Sequence, residues 1–163
     1  MIFKLYKRYI KDIKMFIINK QDNIFEKVKE LVLTLKTTDK PIFVFDIHKT
    51  TLTKEGKINK EINIWIKDLV KKKFNVFFLF YDGQIDRIPI NYKLLHQEKK
   101  YKNIPTIFMM KRKKYLVLSA LEKLIKVDRD YKIRATLIDD NFLNIKDMKK
   151  LDKEIFEAIH FKN

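Results

Sequence analysis

Four short apolar runs stand out along the chain: PIFVFD at 41–46, NVFFLF at 75–80, PTIFMM at 105–110 and ATLIDD at 135–140. Continuous runs of this length suit strands buried on both faces of a parallel sheet. A last candidate strand is EAIHF at 157–161. Between the runs, apolar residues recur at helical spacing, which predicts helices over roughly 59–73, 90–100, 113–126 and 144–156. Strand and helix alternating in this way predict an α/β fold, a three-layer Rossmann-like domain whose mostly parallel central sheet has about five strands. In such sheets ligands gather at the carboxyl ends of the strands. The residues just after each run are therefore where chemistry is sought.

Ahead of this region the pattern is helical only. Phe3, Tyr6, Ile10, Ile13, Phe16 and Ile17 are spaced as one face of a helix over 3–20, with lysines between them. A second helix is expected over 23–37, with Asp22 as N-cap and Ile24, Val28, Leu31, Val32 and Leu35 as its apolar face. The stretch from Thr37 to Pro41 then breaks the pattern. This divides the chain into an N-terminal helical extension, 1–40, and an α/β core domain, 41–163. The first helix is basic on one side and apolar on the other. Packing, self-association into a homodimer, or docking of a protein partner is its expected use, with a membrane-surface role as the alternative.

Composition narrows the classes. The chain has 163 residues, 46% of them apolar, enough for one domain with a sizeable core. It has no cysteine, which excludes disulfides and thiolate metal sites. No membrane span is expected, because no uncharged apolar stretch approaches the ~20 residues of one. The N-terminal apolar stretch carries charges throughout, unlike a signal peptide, so a cytoplasmic location is expected. The net charge is +16, and only five of the 37 basic residues are arginine. That charge points to an anionic partner such as nucleic acid or a nucleotide. An AT-rich genome, viral or microbial, inflates Lys, Ile and Asn together and accounts for the same excess without any partner.

Two strand ends carry acids. After the first run comes Asp46-Ile47-His48-Lys49-Thr50-Thr51, and after the fourth Asp139-Asp140-Asn141. If these strands are neighbours, three carboxylates converge at one edge of the sheet. Unneutralised, they would repel and raise one another's pKa. Hard oxygen ligands without thiolates favour Mg²⁺ over zinc. The plainer reading of any one such acid is a cap on the following helix.

FVFDIHKTTL resembles the first motif of the haloacid dehalogenase superfamily, an apolar strand followed by D-x-D-x-T. LIDDN resembles that family's fourth motif, an apolar strand followed by an acidic pair. The resemblance spans about residues 41–161, with both motifs in the expected order. It implies that Asp46 is a nucleophile forming an aspartyl-phosphate and also a Mg²⁺ ligand. It implies Asp140 as the second carboxylate ligand, Asp139 as holder of a metal-bound water, and the His48 carbonyl as a further ligand. Thr50 keeps the motif's hydroxyl.

Three positions depart from the family or leave a choice. The family usually has an aspartate general acid/base where this chain has His48. Imidazole can move protons near neutrality, but beside Mg²⁺ a neutral ring is expected, a poorer initial donor. The family ends its second strand in Ser or Thr, whereas here Phe80 or Tyr81 takes that position, and Tyr81 offers its hydroxyl only at the tip of a bulky ring. Asp82-Gly83 beside it reads as a plain turn. For the family's neutralising lysine, Lys111, Lys113 and Lys114 all qualify. Lys114 is the choice, because it opens the next helix just before Leu116 and Leu118. Lys111, Arg112 and Lys113, together with Lys49, are the expected phosphate or nucleic-acid contacts.

About 22 residues separate Leu52 from the second strand, and about 24 separate the second strand from the third. Neither gap holds a cap domain. An open site suits a bulky substrate, and capless relatives in the family include polynucleotide 3′-phosphatases and phosphoprotein phosphatases. The expectation is thus a Mg²⁺-dependent phosphatase acting on a phosphomonoester, a nucleic-acid end or nucleotide. The alternative is a catalytically weak or inactive module of the same fold that binds nucleic acid or a protein partner.

Overall fold

The computed structural model describes residues 15–19, 22–32, 40–81, 84–110, 114–127 and 134–162. Six parallel strands form one sheet: β1 (Met15–Ile18), β2 (Ile42–Asp46), β3 (Asn75–Tyr81), β4 (Thr106–Met109), β5 (Ala135–Asp139) and β6 (Phe156–His160). Their spatial order is β1-β4-β3-β2-β5-β6. The helices are α1 (Ile24–Val32), α2 (Lys60–Lys71), α3 (Ile88–Leu95), α4 (Tyr115–Val127) and α5 (Phe142–Asp147). Short 3-10 turns at Ile85–Arg87, Lys99–Asn103 and Met148–Lys150 complete the connections.

The apolar runs become central strands because both of their faces are covered. On one face, Ile42 and Val44 of β2, Phe77 and Leu79 of β3, and Ile107 and Met109 of β4 meet α1, α4 and Met148. On the other, Phe45, Phe78 and Phe108 meet Ile62, Ile66 and Leu69 of α2 and Ile88, Tyr92 and Leu95 of α3. Successive side chains of each strand thus feed two separate cores, so the runs are almost wholly apolar, with Asn75, Thr106 and Thr136 as buried polar exceptions. The sheet's outer strand β6 alternates instead, with Phe156 buried and Glu157 exposed. α2 shows how local sequence sets the boundaries. Asn59 Oδ1 accepts from the Ile62 amide at 3.1 Å, and Ile62, Ile66 and Leu69 then bury one stripe.

Two expectations need correction. The sheet has six strands rather than about five, and the additional one lies within the stretch expected as a helix over 3–20. Residues 15–18 (MFII) pair in parallel with β4, Met15 beside Thr106 through Ile18 beside Met109. A four-residue apolar run fits a strand edge as well as a helix face, and the open edge of β4 supplies the hydrogen bonds that decide it. The N-terminal helical extension is therefore not observed as such. Its second helix is present as α1, with Val28 and Leu31 buried in the core shared with α4. Residues 1–14, 20–21 and 33–39 of that extension lie outside the described residues. The helix expected over 144–156 is also shorter: it ends as α5 and a 3-10 turn, and a further turn closed on the Asp152 carbonyl leads into β6. Among the described residues, no helix is long and apolar enough to cross a membrane.

Candidate functional site

β2 and β5 are neighbours, and the register that pairs Phe45 with Ile138 sets Asp46 beside Asp139. Asp46, Asp139 and Asp140 each bring a carboxylate oxygen within 4.8 Å of the others. Asp46 and Asp139 are buried and Asp140 is half-buried. The acids gather here because both strands end at the same level of the sheet, where the chain must leave the plane.

Lys114 enters this cluster from the opposite direction. Its carbonyl accepts from the amides of Val117 and Leu118, so it starts α4. Its side chain, only 5% exposed, points back over the sheet edge. The ammonium donates to Asp46 Oδ1 and, at 2.9 Å, to Asp139 Oδ2. Thr50 closes the other side. Its hydroxyl donates to Asp46 Oδ2 at 3.1 Å and lies 3.4 Å from Asp140 Oδ1, while the Asp140 amide donates to Thr50 Oγ1 at 3.1 Å.

The loop after Asp46 is tightly determined. The Thr51 hydroxyl and amide both donate to the Asp46 carbonyl, and the Leu52 amide donates to the Ile47 carbonyl at 2.8 Å. Lys49 sits at φ 58°, a left-handed conformation that costs a side-chain-bearing residue about 1–2 kcal/mol and persists only where neighbours enforce it. Beyond it, Thr53 and Lys57 close a small turn at Gly56, φ 79°, where the sequence shows Lys54-Glu55-Gly56. Asp139 is held as firmly. Its oxygens accept from the Asn141 amide at 2.9 Å and the Asn144 amide nitrogen at 3.0 Å. Asn141 also caps α5 through the Leu143 amide, and His160 Nε2 lies 2.9 Å from the Asp140 carbonyl.

Burial raises the Asp46 carboxyl well above the usual carboxylate range; Lys114 pulls it down, while the charge of Asp139 pushes it further up. Burial works to lower Lys114, but the charges of Asp46 and Asp139 and their hydrogen bonds hold the ammonium above its ordinary value. Three carboxylates thus face one buried ammonium, an excess of negative charge at a single point. That donor set, all oxygen and short of positive charge, fits a hard divalent cation such as Mg²⁺.

The cluster opens into a cleft of about 910 Å³. His48, Lys49 and Tyr81 line it alongside Asp46, Lys114, Asp139 and Asp140. His48 and Lys49 are exposed, and Tyr81 is the last residue of β3, two positions past Leu79, which pairs with Asp46. Phe80 lines the cleft as well, so β3 presents two rings there. Lys111, Arg112 and Lys113 lie outside the described residues. The pattern reading missed Arg87, Asn91, Leu143, Asn144 and Asp147 on the cleft wall. Asn144 carried a usable signal, since it follows the acidic pair on the first turn of the helix that the pair opens. Arg87 and Asn91 carried none, because they depend on how α3 crosses over β3. No protein-family model, curated protein or solved structure matches the chain.

Proposed function

We propose that the protein is a Mg²⁺-dependent phosphomonoesterase of the haloacid dehalogenase type, working through an aspartyl-phosphate on Asp46. The observation that carries this reading is the seating of Asp46: a carboxylate at a strand end, held by Lys114 on one oxygen and Thr50 on the other. A merely structural aspartate has no need of a buried ammonium, a second buried carboxylate and an open cleft at once. Asp46, Asp140 and the His48 carbonyl are the ligands this reading gives the metal, with Asp139 supporting a bound water.

In this reaction an Asp46 oxygen attacks phosphorus, the bond from phosphorus to the ester oxygen breaks, and the alcohol departs with a proton that only the imidazolium form of His48 can give, the less favoured form beside the metal. Water then attacks the phosphorus of the aspartyl-phosphate, giving its proton to His48. The bond from phosphorus to Asp46 breaks, inorganic phosphate leaves and the carboxylate is restored. Lys114 holds Asp46 in line and offsets charge on the phosphoryl oxygens. Bound Mg²⁺ supplies Lewis-acid polarisation of those oxygens. The +16 charge and the uncapped cleft favour a nucleotide or a nucleic-acid end as the substrate.

One observation favours a second reading, an inactive or weak module that binds nucleic acid or a protein partner. The cleft end of β3 carries Phe80 and Tyr81, where a small hydroxyl residue would hold the phosphoryl group. Hydrolysis of an aryl phosphate and of a 3′-phosphorylated oligonucleotide, with Mg²⁺ and with chelator, separates the two. The phosphatase reading expects metal-dependent turnover that falls at least about a thousandfold in Asp46→Asn. Turnover on neither substrate overturns it in favour of the binding module.

A further inference from the structure

Tyr81 and Leu143 share a setting that phosphoryl transfer alone does not require. Tyr81 closes β3 and is 37% exposed; Leu143 lies in the first turn of α5 and is 66% exposed. Scattered apolar residues are ordinary on a surface. These two, however, line the same cleft as Asp46 and come to it from opposite sides. β3 and β5 flank β2, so at the usual strand spacing the two strand ends stand roughly 10 Å apart, and Leu143 follows the end of β5 after a short turn into α5. Tyr81 also lies two residues beyond the level of Asp46, roughly 7 Å further along the strand direction. That offset matches the length of a sugar between a phosphate and its base.

We propose that Tyr81 and Leu143 form a base-binding subsite, so that the substrate is a nucleoside phosphate at the end of a strand, its base held between the Tyr81 ring and the Leu143 side chain. The inference rests on the phosphatase reading for the position of the phosphoryl group. The cleft's cations support a strand over an isolated ester: the exposed Lys49 and Arg87 line the same cleft as Asp46, and a strand end brings a second phosphate for such charges to meet. Stacking of a base on an aromatic ring tolerates any base, so the subsite confers preference for a nucleoside without preference for sequence. The tyrosine at the end of β3, a departure where phosphoryl contact is concerned, acquires a use as a platform for the ring.

The test compares a phosphorylated dinucleotide, glycerol phosphate and a phosphotyrosine peptide in two assays: hydrolysis by the wild-type protein, and equilibrium binding to Asp46→Asn, both with Mg²⁺. The dinucleotide is expected to be preferred over glycerol phosphate by about tenfold or more in kcat/KM, through KM, and by a like factor in Kd. Tyr81→Ala should collapse that ratio towards one, and Tyr81→Phe, which keeps the ring and loses the hydroxyl, should restore it. Hydrolysis of all three esters with a ratio indifferent to Tyr81→Ala overturns the subsite and leaves the phosphatase reading intact. No hydrolysis, with dinucleotide binding that still depends on the Tyr81 ring, keeps the subsite and removes the enzyme. A phosphotyrosine peptide preferred over the dinucleotide overturns the nucleoside assignment.

Discussion

Lys114 donates to Asp46 across 68 residues of sequence, and the pair is buried at the point where β2 and β5 end side by side. The same ammonium serves Asp139, so one positive charge compensates two buried carboxylates. Removing it leaves both without a compensating charge in a low-dielectric setting, with only neutral donors from Thr50, Asn141 and Asn144. Lys114→Met is therefore expected to cost about 3–5 kcal/mol of folding stability when measured by denaturant unfolding in chelator. Adding Mg²⁺ should recover part of the loss, because a divalent cation offsets the same charge. A loss below about 1 kcal/mol, the usual value of an exposed pair, contradicts this account of the cluster.

The carboxylate excess also makes metal binding a stability measurement. A cation that binds only the folded chain adds about 2.7 kcal/mol at a hundred times its Kd. Wild-type protein should show a rise in unfolding midpoint with Mg²⁺ concentration, and Asp140→Asn should lose most of it. Asp140 is half-buried and outside the reach of Lys114, so this variant is expected to fold in chelator as well as the wild type. Equal Mg²⁺ response in the two proteins rules out Asp140 as a ligand.

His48 is exposed on the cleft wall, directly after the loop turns away from Asp46. A positioned general acid/base contributes about 10²- to 10⁴-fold to turnover. His48→Ala should lower kcat by that order, while His48→Asp, which restores an acid at the spacing D-x-D-x-T, should keep or raise it. The two variants together distinguish proton transfer from a loss of loop shape, since the backbone bridge from His48 to Leu52 does not depend on the side chain.

Much of this arrangement was legible because its strongest signals are local. IFVF is apolar throughout and ATLI apolar but for Thr136, as suits strands covered on both faces, and each is followed by an acid. Asp46, Asp139 and Asp140 could be set together from that fact plus one assumption, that their strands adjoin, and β2 and β5 do adjoin. Lys114 was singled out from a run of four basic residues by its position at a helix start. β1 was not legible, because MFII has too few residues to separate period two from period 3.6 and its partner strand is about 90 residues away in the chain. Arg87 and Asn91 were hidden for a similar reason. Their place on the cleft wall depends on tertiary packing of α3, through Ile88, Tyr92 and Leu95, and not on any pattern around them.

The same helix ends in a residue that tests the packing independently of the site. His96 packs against Tyr92 with ring centroids 3.9 Å apart and the rings tilted by 52°, and its Nε2 is buried without a partner among the described residues. Burial, with Lys102 nearby, lowers its pKa to about 4 from an ordinary value of 6.5. The sign follows from which state takes the proton first. Above pH 6.5 the ring is neutral in both the folded and the unfolded chain, and the stability is fully present. As pH falls from 6.5 towards 4 the unfolded chain gains a proton that the folded chain refuses, so stability is lost across that window and no further below it. Discounted for the ring's partial exposure, the loss is on the order of 1–2 kcal/mol. His96→Phe keeps a ring against Tyr92 and removes the titration. Its unfolding free energy should fall less steeply than that of the wild type between pH 6.5 and 4, and the two curves should run parallel above pH 7. Curves that stay parallel through the whole range mean that His96 takes up its proton as readily in the folded chain as in the unfolded one.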